Sequence, residues 1–217
     1  VTDKEILAEY LLRYEPVLVP LADRLNSFLT DAVQGIPRVD RVSARAKSPD
    51  RFVTKALKLK DGAPKYDRPF QQIQDQVGAR VITFYLDDVI AIASTIERYF
   101  KRIETRDMIP DSESEFGYIG KHYILAVPED VYPDDAGEAK LIPKFFELQI
   151  KTLFQHAWSE ANHDIAYKPV TALTSLQKRQ LAFTAAQAWG ADQIFETLSR
   201  ELLPPSLRPD LSGAAGQ

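Results

Sequence analysis

The sequence contains no cysteine. Disulfides, thiolate nucleophiles and cysteine-ligated metals are therefore excluded. It also has no run of about 18 apolar residues, so no transmembrane helix is expected. The first residues, Val1-Thr2-Asp3-Lys4-Glu5, lack a basic stretch leading into an apolar one, so no secretory signal is expected and the cytoplasm is the expected location. Net charge is −4 over 217 residues, which gives no global polyanion-binding signature. The charge is unevenly spread, however. Pro37 to Lys60 carries eight Lys/Arg against two Asp, whereas Asp107 to Lys140 carries nine Asp/Glu against two Lys. A basic segment of this kind is either a solvated surface or a local attractor for phosphate.

With 45% hydrophobic and 27% charged residues, the composition suits one substantial core with helical extensions. Asp3 to about Val33 has helical spacing, interrupted at Pro16 and Pro20. Arg38 to Ala46 reads as extended. Ser48 as N-cap and Pro49 at the first helical position then start a helix expected to reach about Lys60, presenting Arg51, Lys55 and Lys58. Val77 to Tyr85 is a buried strand candidate through Val77, Ala79, Val81, Ile82 and Phe84. Asp87 to Phe100 is an amphipathic helix, and Arg102–Arg106, Lys121–Val127 and Lys144–Lys151 are further strands. Helices follow over His156–Asp164 and from Ser175 to about Leu203, where Pro204-Pro205 stops the pattern. Acidic connections occupy Met108–Phe116 and Pro128–Lys140.

This mixture predicts an α/β or α+β fold, a mixed sheet flanked by helices with helical extensions at both ends. The expected divisions are an N-terminal helical segment (1–35), a central domain (36–170), a C-terminal helix (171–205) and a disordered tail (206–217).

Four segments concentrate the side chains that phosphate chemistry uses. Arg45-Ala46-Lys47-Ser48, leading into Arg51 and Lys55, joins cations to a helix N-terminus, where free N–H groups and the helix dipole favour an anion. Asp75-Gln76-Val77-Gly78-Ala79-Arg80 sets a carboxylate before a strand and an arginine inside it, with a glycine allowing close approach. Phe116-Gly117-Tyr118-Ile119-Gly120-Lys121-His122 puts an exposed aromatic between glycines, a usable platform for a base. Phe145 to Thr152 alternates, with Phe146, Leu148 and Ile150 on one face and Glu147, Gln149 and Lys151 on the other, followed by His156. Taken singly, each has a plain structural reading: a turn aspartate, a loop anchor, a solvated strand face, a satisfied histidine. Their order along one chain is what separates them from that background.

That order resembles the synthetase domain of the RelA/SpoT-type alarmone, or (p)ppGpp, synthetases. The shared pattern comprises Arg45-x-Lys47-Ser48, Asp75-x-x-Gly78-x-Arg80, Gly117-Tyr118-x-x-x-His122, Glu147-x-Gln149-x-Lys151-Thr152, and His156-Ala157-Trp158-x-Glu160-x-x-His163-Asp164-x-x-Tyr167-Lys168. The resemblance spans about Ile36 to Pro169. It implies a nucleotidyltransferase-like fold and an ATP-dependent pyrophosphokinase that moves the β,γ-pyrophosphate of ATP to the ribose 3′-hydroxyl of GDP or GTP. It further implies that Arg45 and Arg80 sandwich adenine while Lys47, Ser48 and Lys55 hold the ATP phosphates. Asp75 would bind Mg²⁺, and Glu147 would serve as second ligand or as base. Tyr118 would stack on the acceptor base, with Lys121, His122, Gln149, Lys151 and His156 orienting the acceptor.

The chain departs from the pattern at Ile119 and Gly120, where the family usually has Arg or Gln and then Ser. It departs again at Lys151, which replaces the usual arginine and loses its bidentate fork. Some relatives use adenine nucleotide or tRNA as acceptor instead, and a catalytically inactive nucleotide-binding module is the remaining alternative. The sequence leaves no room for a preceding hydrolase domain or a long regulatory C-terminus, so a small, single-domain synthetase or an excised domain is expected. Small relatives assemble as tetramers through their terminal helices. The 175–203 helix, with Phe183 and Trp189, suits either that role or packing on its own sheet.

Overall fold

The structure, a computed structural model, describes residues 2–107, 116–118, 120–134, 141–166 and 172–211. Two helices, α1 (Asp3–Arg13) and α2 (Val19–Ala32), run on from one another through a π-helical turn at Tyr14–Leu18. Pro16 lies in that turn. Proline lacks an N–H and crowds the carbonyl four residues back, so the helix widens there instead of breaking. Pro20 sits in the first turn of α2, where its fixed φ is tolerated.

Five strands form a mixed sheet: β1 (Val39–Ala46), β4 (Val77–Thr83), β5 (Arg102–Asp107), β6 (Lys121–Ala126) and β7 (Phe145–Thr152), in spatial order β1-β4-β7-β6-β5. Only β4 and β7 pair in parallel; their register sets Gly78 beside Glu147, Arg80 beside Gln149 and Ile82 beside Lys151. A two-residue hairpin, β2 (Leu59–Lys60) and β3 (Ala63–Pro64), turns at Asp61 and Gly62, both with positive φ. The helices α3 (Pro49–Ala56), α4 (Pro69–Gln72), α5 (Leu86–Tyr99), α6 (Leu153–Ala166) and α7 (Ser175–Leu202) complete the described elements used below.

One face of the sheet is the core. Val77, Ala79, Val81, Tyr123, Leu125, Phe146, Leu148 and Ile150 are buried against α2 and α5, which contribute Leu21, Leu25, Leu29, Ile92 and Ile96. Phe100 bridges the layers, edge-on to Phe28 and Phe146 at 5.3 and 5.5 Å between ring centroids. Truncating such a side chain to alanine typically costs about 3–5 kcal/mol. The N-terminal helices belong to this same core, since Tyr10, Leu18 and Leu21 are fully buried in it. The other face is left for polar side chains, and α6 packs near one end of it.

Several expectations are corrected here. The helix after Ser48 stops at Ala56, because the Asp61-Gly62 turn recruits Leu59 and Lys60 into the hairpin; Lys58 is not helical. Phe84 lies one residue beyond β4 and is exposed. Residues 205–207, across the boundary between the expected C-terminal helix and the expected disordered tail, form a 3₁₀ turn, and the Arg38 guanidinium donates to the Leu207 carbonyl; 212–217 lie outside the described residues. Helix α7 does not pack Phe183 and Trp189 on its own sheet. Leu176, Phe183, Trp189, Ile194 and Leu198 are exposed, whereas Ala185, Asp192 and Glu196 are buried.

Candidate active site

The polar sheet face and the end of β1 enclose a cavity of about 420 Å³, in the range of small-ligand pockets. Its lining includes Arg45, Lys47, Ser48, Arg51, Asp75, Gly78, Arg80, Glu147 and Gln149. Strand alternation produces this gathering. Arg45 pairs with Gly78, and Arg80 and Glu147 project from neighbouring strands to the same side. Diagonal neighbours on adjacent antiparallel strands are about 7–8 Å apart, close to the gap two guanidinium planes need to enclose a flat ring. A Cβ at Gly78, between them, would meet nothing within 4 Å, so its hydrogen keeps that gap open.

The rim at Lys47-Ser48 is braced from the N-terminal helices. Tyr10 donates its hydroxyl to the Lys47 carbonyl (2.7 Å) and stacks on Phe52 of α3 at 4.0 Å. Ser48 is the N-cap of α3, but its side chain makes no capping hydrogen bond and lines the cavity. Lys47 Nζ and Lys55 Nζ converge on Oδ2 of Asp75, at 2.9 and 2.8 Å. Burial alone would raise the Asp75 carboxyl, but the two ammonium groups outweigh it and hold the group below the usual carboxylate range. Asp75 Oδ1 is buried without a hydrogen-bond partner.

On the neighbouring strands, His122 Nδ1 lies 3.1 Å from Glu147 Oε1. Burial pushes Glu147 up; the hydrogen bond and charge of His122 outweigh it and leave the carboxyl lowered. Arg80 turns toward α6, pairing with Glu160 (3.0 Å) and meeting His156 Nδ1 at 3.3 Å. Burial, then the Arg80 charge, lower the His156 imidazole below its ordinary value. Lys151 is buried, its ammonium donating to Ser159 Oγ (3.0 Å); burial and Arg80 pull it down to about 8.

Two expected acceptor residues sit differently from the sequence reading. Lys121 pairs with Ile150, so alternation sends it to the opposite face from His122, with Nζ 5.5 Å from the Tyr123 ring centroid. Tyr118 is no exposed platform: it is 9% exposed, and its hydroxyl donates to Asp192 of α7 at 2.5 Å. Burial and the Asp192 carboxylate both raise its phenol. Gly120 follows with φ +91, and a Cβ there would fall 2.8 Å from Lys151 Cγ and 2.9 Å from the Ile150 carbonyl. Ile119, Tyr167 and Lys168 lie outside the described residues.

Sequence reasoning assigned no role to Glu160, Ser159 or Asp192. Glu160 follows His156 by four residues on α6, a spacing that puts both on one helix face and was open to reading. Asp192 offered no such signal, because helical periodicity picks out the apolar side of α7, which is the exposed one.

The residues present fit Mg²⁺. Asp75 and Glu147 line one cavity, and one or two carboxylates with phosphate oxygens form the usual donor set. Among the described residues no group of three or more His, Asp or Glu side chains forms an all-protein cage, so the fit is to an ion arriving with a nucleotide. Among them, too, no helix is long and apolar enough to cross a membrane.

Comparison with known proteins agrees with this geometry. The family model described as the region found in RelA/SpoT proteins matches residues 44–171. The chain is 27% identical over 130 residues to the GTP pyrophosphokinase YjbM of Bacillus subtilis (strain 168), covering 56% of this chain and 58% of that relative. Its fold matches small alarmone synthetase 1 from Bacillus subtilis bound to its product pppGpp, with a TM-score of 0.66 and 22% identity over 86% of this chain and 96% of that one. It also matches a GTP pyrophosphokinase family protein from Streptococcus pneumoniae, with a TM-score of 0.69 and 22% identity over 86% and 91% of the two chains. The matched region covers more than half of the chain and includes Arg45, Lys47, Asp75, Arg80 and Glu147 of the cavity, and the chain belongs to the RelA/SpoT family.

Proposed function

We propose that this chain is an ATP-dependent pyrophosphokinase that transfers the β,γ-pyrophosphate of ATP to the ribose 3′-hydroxyl of GDP or GTP, releasing AMP. The observation that carries the reading is the convergence of Asp75 and Glu147 with Arg45, Lys47 and Arg80 on one cavity. The names of the relatives, a GTP pyrophosphokinase and a synthetase holding pppGpp, support the same acceptor class.

In this reading Arg45 and Arg80 enclose the adenine across Gly78. Lys47, Lys55 and the N-terminus of α3 at Ser48 receive the phosphates, which compete with Asp75 for the two ammonium groups. Glu147, kept ionised at neutral pH, accepts the 3′-hydroxyl proton, and His122 holds its carboxylate in one orientation. A base so placed contributes about 10²–10⁴-fold. Gln149, Lys151 and His156 sit on the acceptor side, and Tyr118 meets the acceptor base. Asp75 would hold Mg²⁺, which would neutralise charge on the transferred phosphates, with Glu147 as its second ligand where it does not serve as the base. The remaining catalysis is alignment of the two oxygens in line. The exposed apolar side of α7, with Phe183 63% and Leu202 74% exposed, supports an oligomer formed through the terminal helices, which sedimentation of the pure protein would report as a mass above one chain.

The test is Glu147→Gln. A folded variant that binds ATP but transfers no pyrophosphate supports the role; full turnover contradicts it.

A further inference from the structure

Helix α7 buries Asp192 and Glu196 and exposes Leu176, Phe183, Trp189, Ile194 and Leu198. Glu196 is provided for, accepting from the Asp87 N–H (2.9 Å) and pairing with Arg200 (2.9 Å). Asp192 has no such cation among the described residues. It is 1% exposed; Oδ2 accepts from the hydroxyls of Tyr118 (2.5 Å) and Thr152 (2.6 Å), and Oδ1 is buried without a hydrogen-bond partner. A buried carboxylate lacking a cation is costly, and an apolar residue would suit stability better at such a position. Burial accordingly raises its carboxyl.

Its two partners lie at different parts of the site. Thr152 ends β7 and caps α6: its Oγ1 accepts from the Gln155 N–H (3.0 Å), while the Gln155 side chain accepts from the Thr152 N–H (2.9 Å). With its lone pair engaged by Gln155, the Thr152 hydroxyl is oriented to donate to Asp192. Helix α6 begins there and carries His156 and Glu160 against Arg80. Tyr118 stands on the turn before β6, two residues ahead of Gly120. Asp192 is thus the group through which α7 holds the Tyr118 turn and the first turn of α6 together.

We propose that Asp192 is a positioning residue for the acceptor: it locks the Tyr118 phenol to the N-terminus of α6 and so sets acceptor affinity without touching the acceptor. This rests on the reading of Tyr118 as an acceptor contact. The adenine side meets α6 through Arg80, which touches His156 and Glu160 beyond the locked first turn, so loss of the lock moves the KM for ATP far less than that for GDP.

The test uses the full chain with Tyr118→Phe, Asp192→Asn, their double variant, and Tyr118→Ala. Tyr118→Phe and Asp192→Asn are each expected to raise the KM for GDP about tenfold, the scale of one hydrogen bond to a charged group. The KM for ATP stays within about twofold, and the double variant is no worse than either single one, as members of one unit behave. In the ligand-free protein, amide exchange accelerates at both 116–120 and 152–156 in each single variant, a readout independent of turnover. Equal rises in both KM values, additive single effects, or exchange rates unchanged in either segment overturn the proposal. If Tyr118→Ala raises the KM for GDP while Asp192→Asn and Tyr118→Phe do not, the acceptor reading stands and the role of Asp192 falls. If Tyr118→Ala leaves it unchanged, or the wild-type chain transfers nothing to GDP or GTP, both fall.

Discussion

His122 and Glu147 face each other across the antiparallel β6–β7 pair, Nδ1 to Oε1 at 3.1 Å, and this contact keeps a largely buried carboxylate ionised. Removing it leaves burial and the neighbouring Asp75 charge, which raise Glu147, opposed by the weaker hydrogen bond of Gln149. His122→Ala is therefore expected to move the acid limb of the kcat–pH profile to higher pH and to lower kcat at pH 7 by about 10²-fold, within the range for general-base catalysis. A slower enzyme with an unshifted limb would assign His122 to another task.

Asp75 links the site to acid stability. Its folded carboxyl is lowered by Lys47 and Lys55 against the effect of burial. A group so depressed contributes stability above its unfolded value of about 3.9, and that contribution is lost as pH falls through the lower folded value. Urea midpoints between pH 6 and 2 are expected to fall more steeply in the wild type than in Asp75→Asn. In a Lys47→Met/Lys55→Met protein burial prevails, the carboxyl rises, and Asp75 costs stability where it formerly contributed.

Two glycines separate backbone need from ligand need. Gly120→Ala is expected to cost about 1–3 kcal/mol in chemical denaturation, from its left-handed φ. The close approach to Lys151 Cγ and the Ile150 carbonyl adds to that cost. Gly78→Ala meets open space, so stability changes by no more than about 0.5 kcal/mol. The KM for ATP rises instead, because the methyl group enters the gap between Arg45 and Arg80. Equal losses of stability in the two variants would contradict this division.

Lys151, at about 8, is charged at neutral pH and loses its proton within the working range. If its charge holds acceptor phosphates, the KM for GDP rises between pH 7 and 9. Lys151→Arg, which stays protonated, flattens that rise. The stability sign is opposite. Burying the cation is unfavourable below the folded value, and the penalty fades as pH climbs from about 8 toward the unfolded 10.5.

How much of this was legible follows from the physics of each signal. The two faces of β7 could be read because alternation is strict and one face is wholly apolar. The Lys47-Ser48-Pro49 junction was legible because N-caps carry local chemistry. The facing of Lys121 depends on its register with Ile150, a long-range pairing that no local pattern encodes. Tyr118 looked exposed because its flanking glycines are loop-like; its burial comes from Asp192, 74 residues further along. The inward side of α7 was not legible for the same reason: its partners, Tyr118, Thr152 and Asp87, are hydrogen-bonding groups rather than an apolar stripe.

The central claim is the transfer of pyrophosphate to a guanine nucleotide. The measurement that tests it most directly is thin-layer chromatography of γ-labelled ATP with Mg²⁺, offered GDP, GTP, ATP and tRNA in parallel, with Glu147→Gln beside the wild type. Label passing to GDP or GTP in the wild type, and none in Glu147→Gln, is the predicted result. Label on ATP or tRNA alone, or no transfer by a protein that binds ATP, would contradict it.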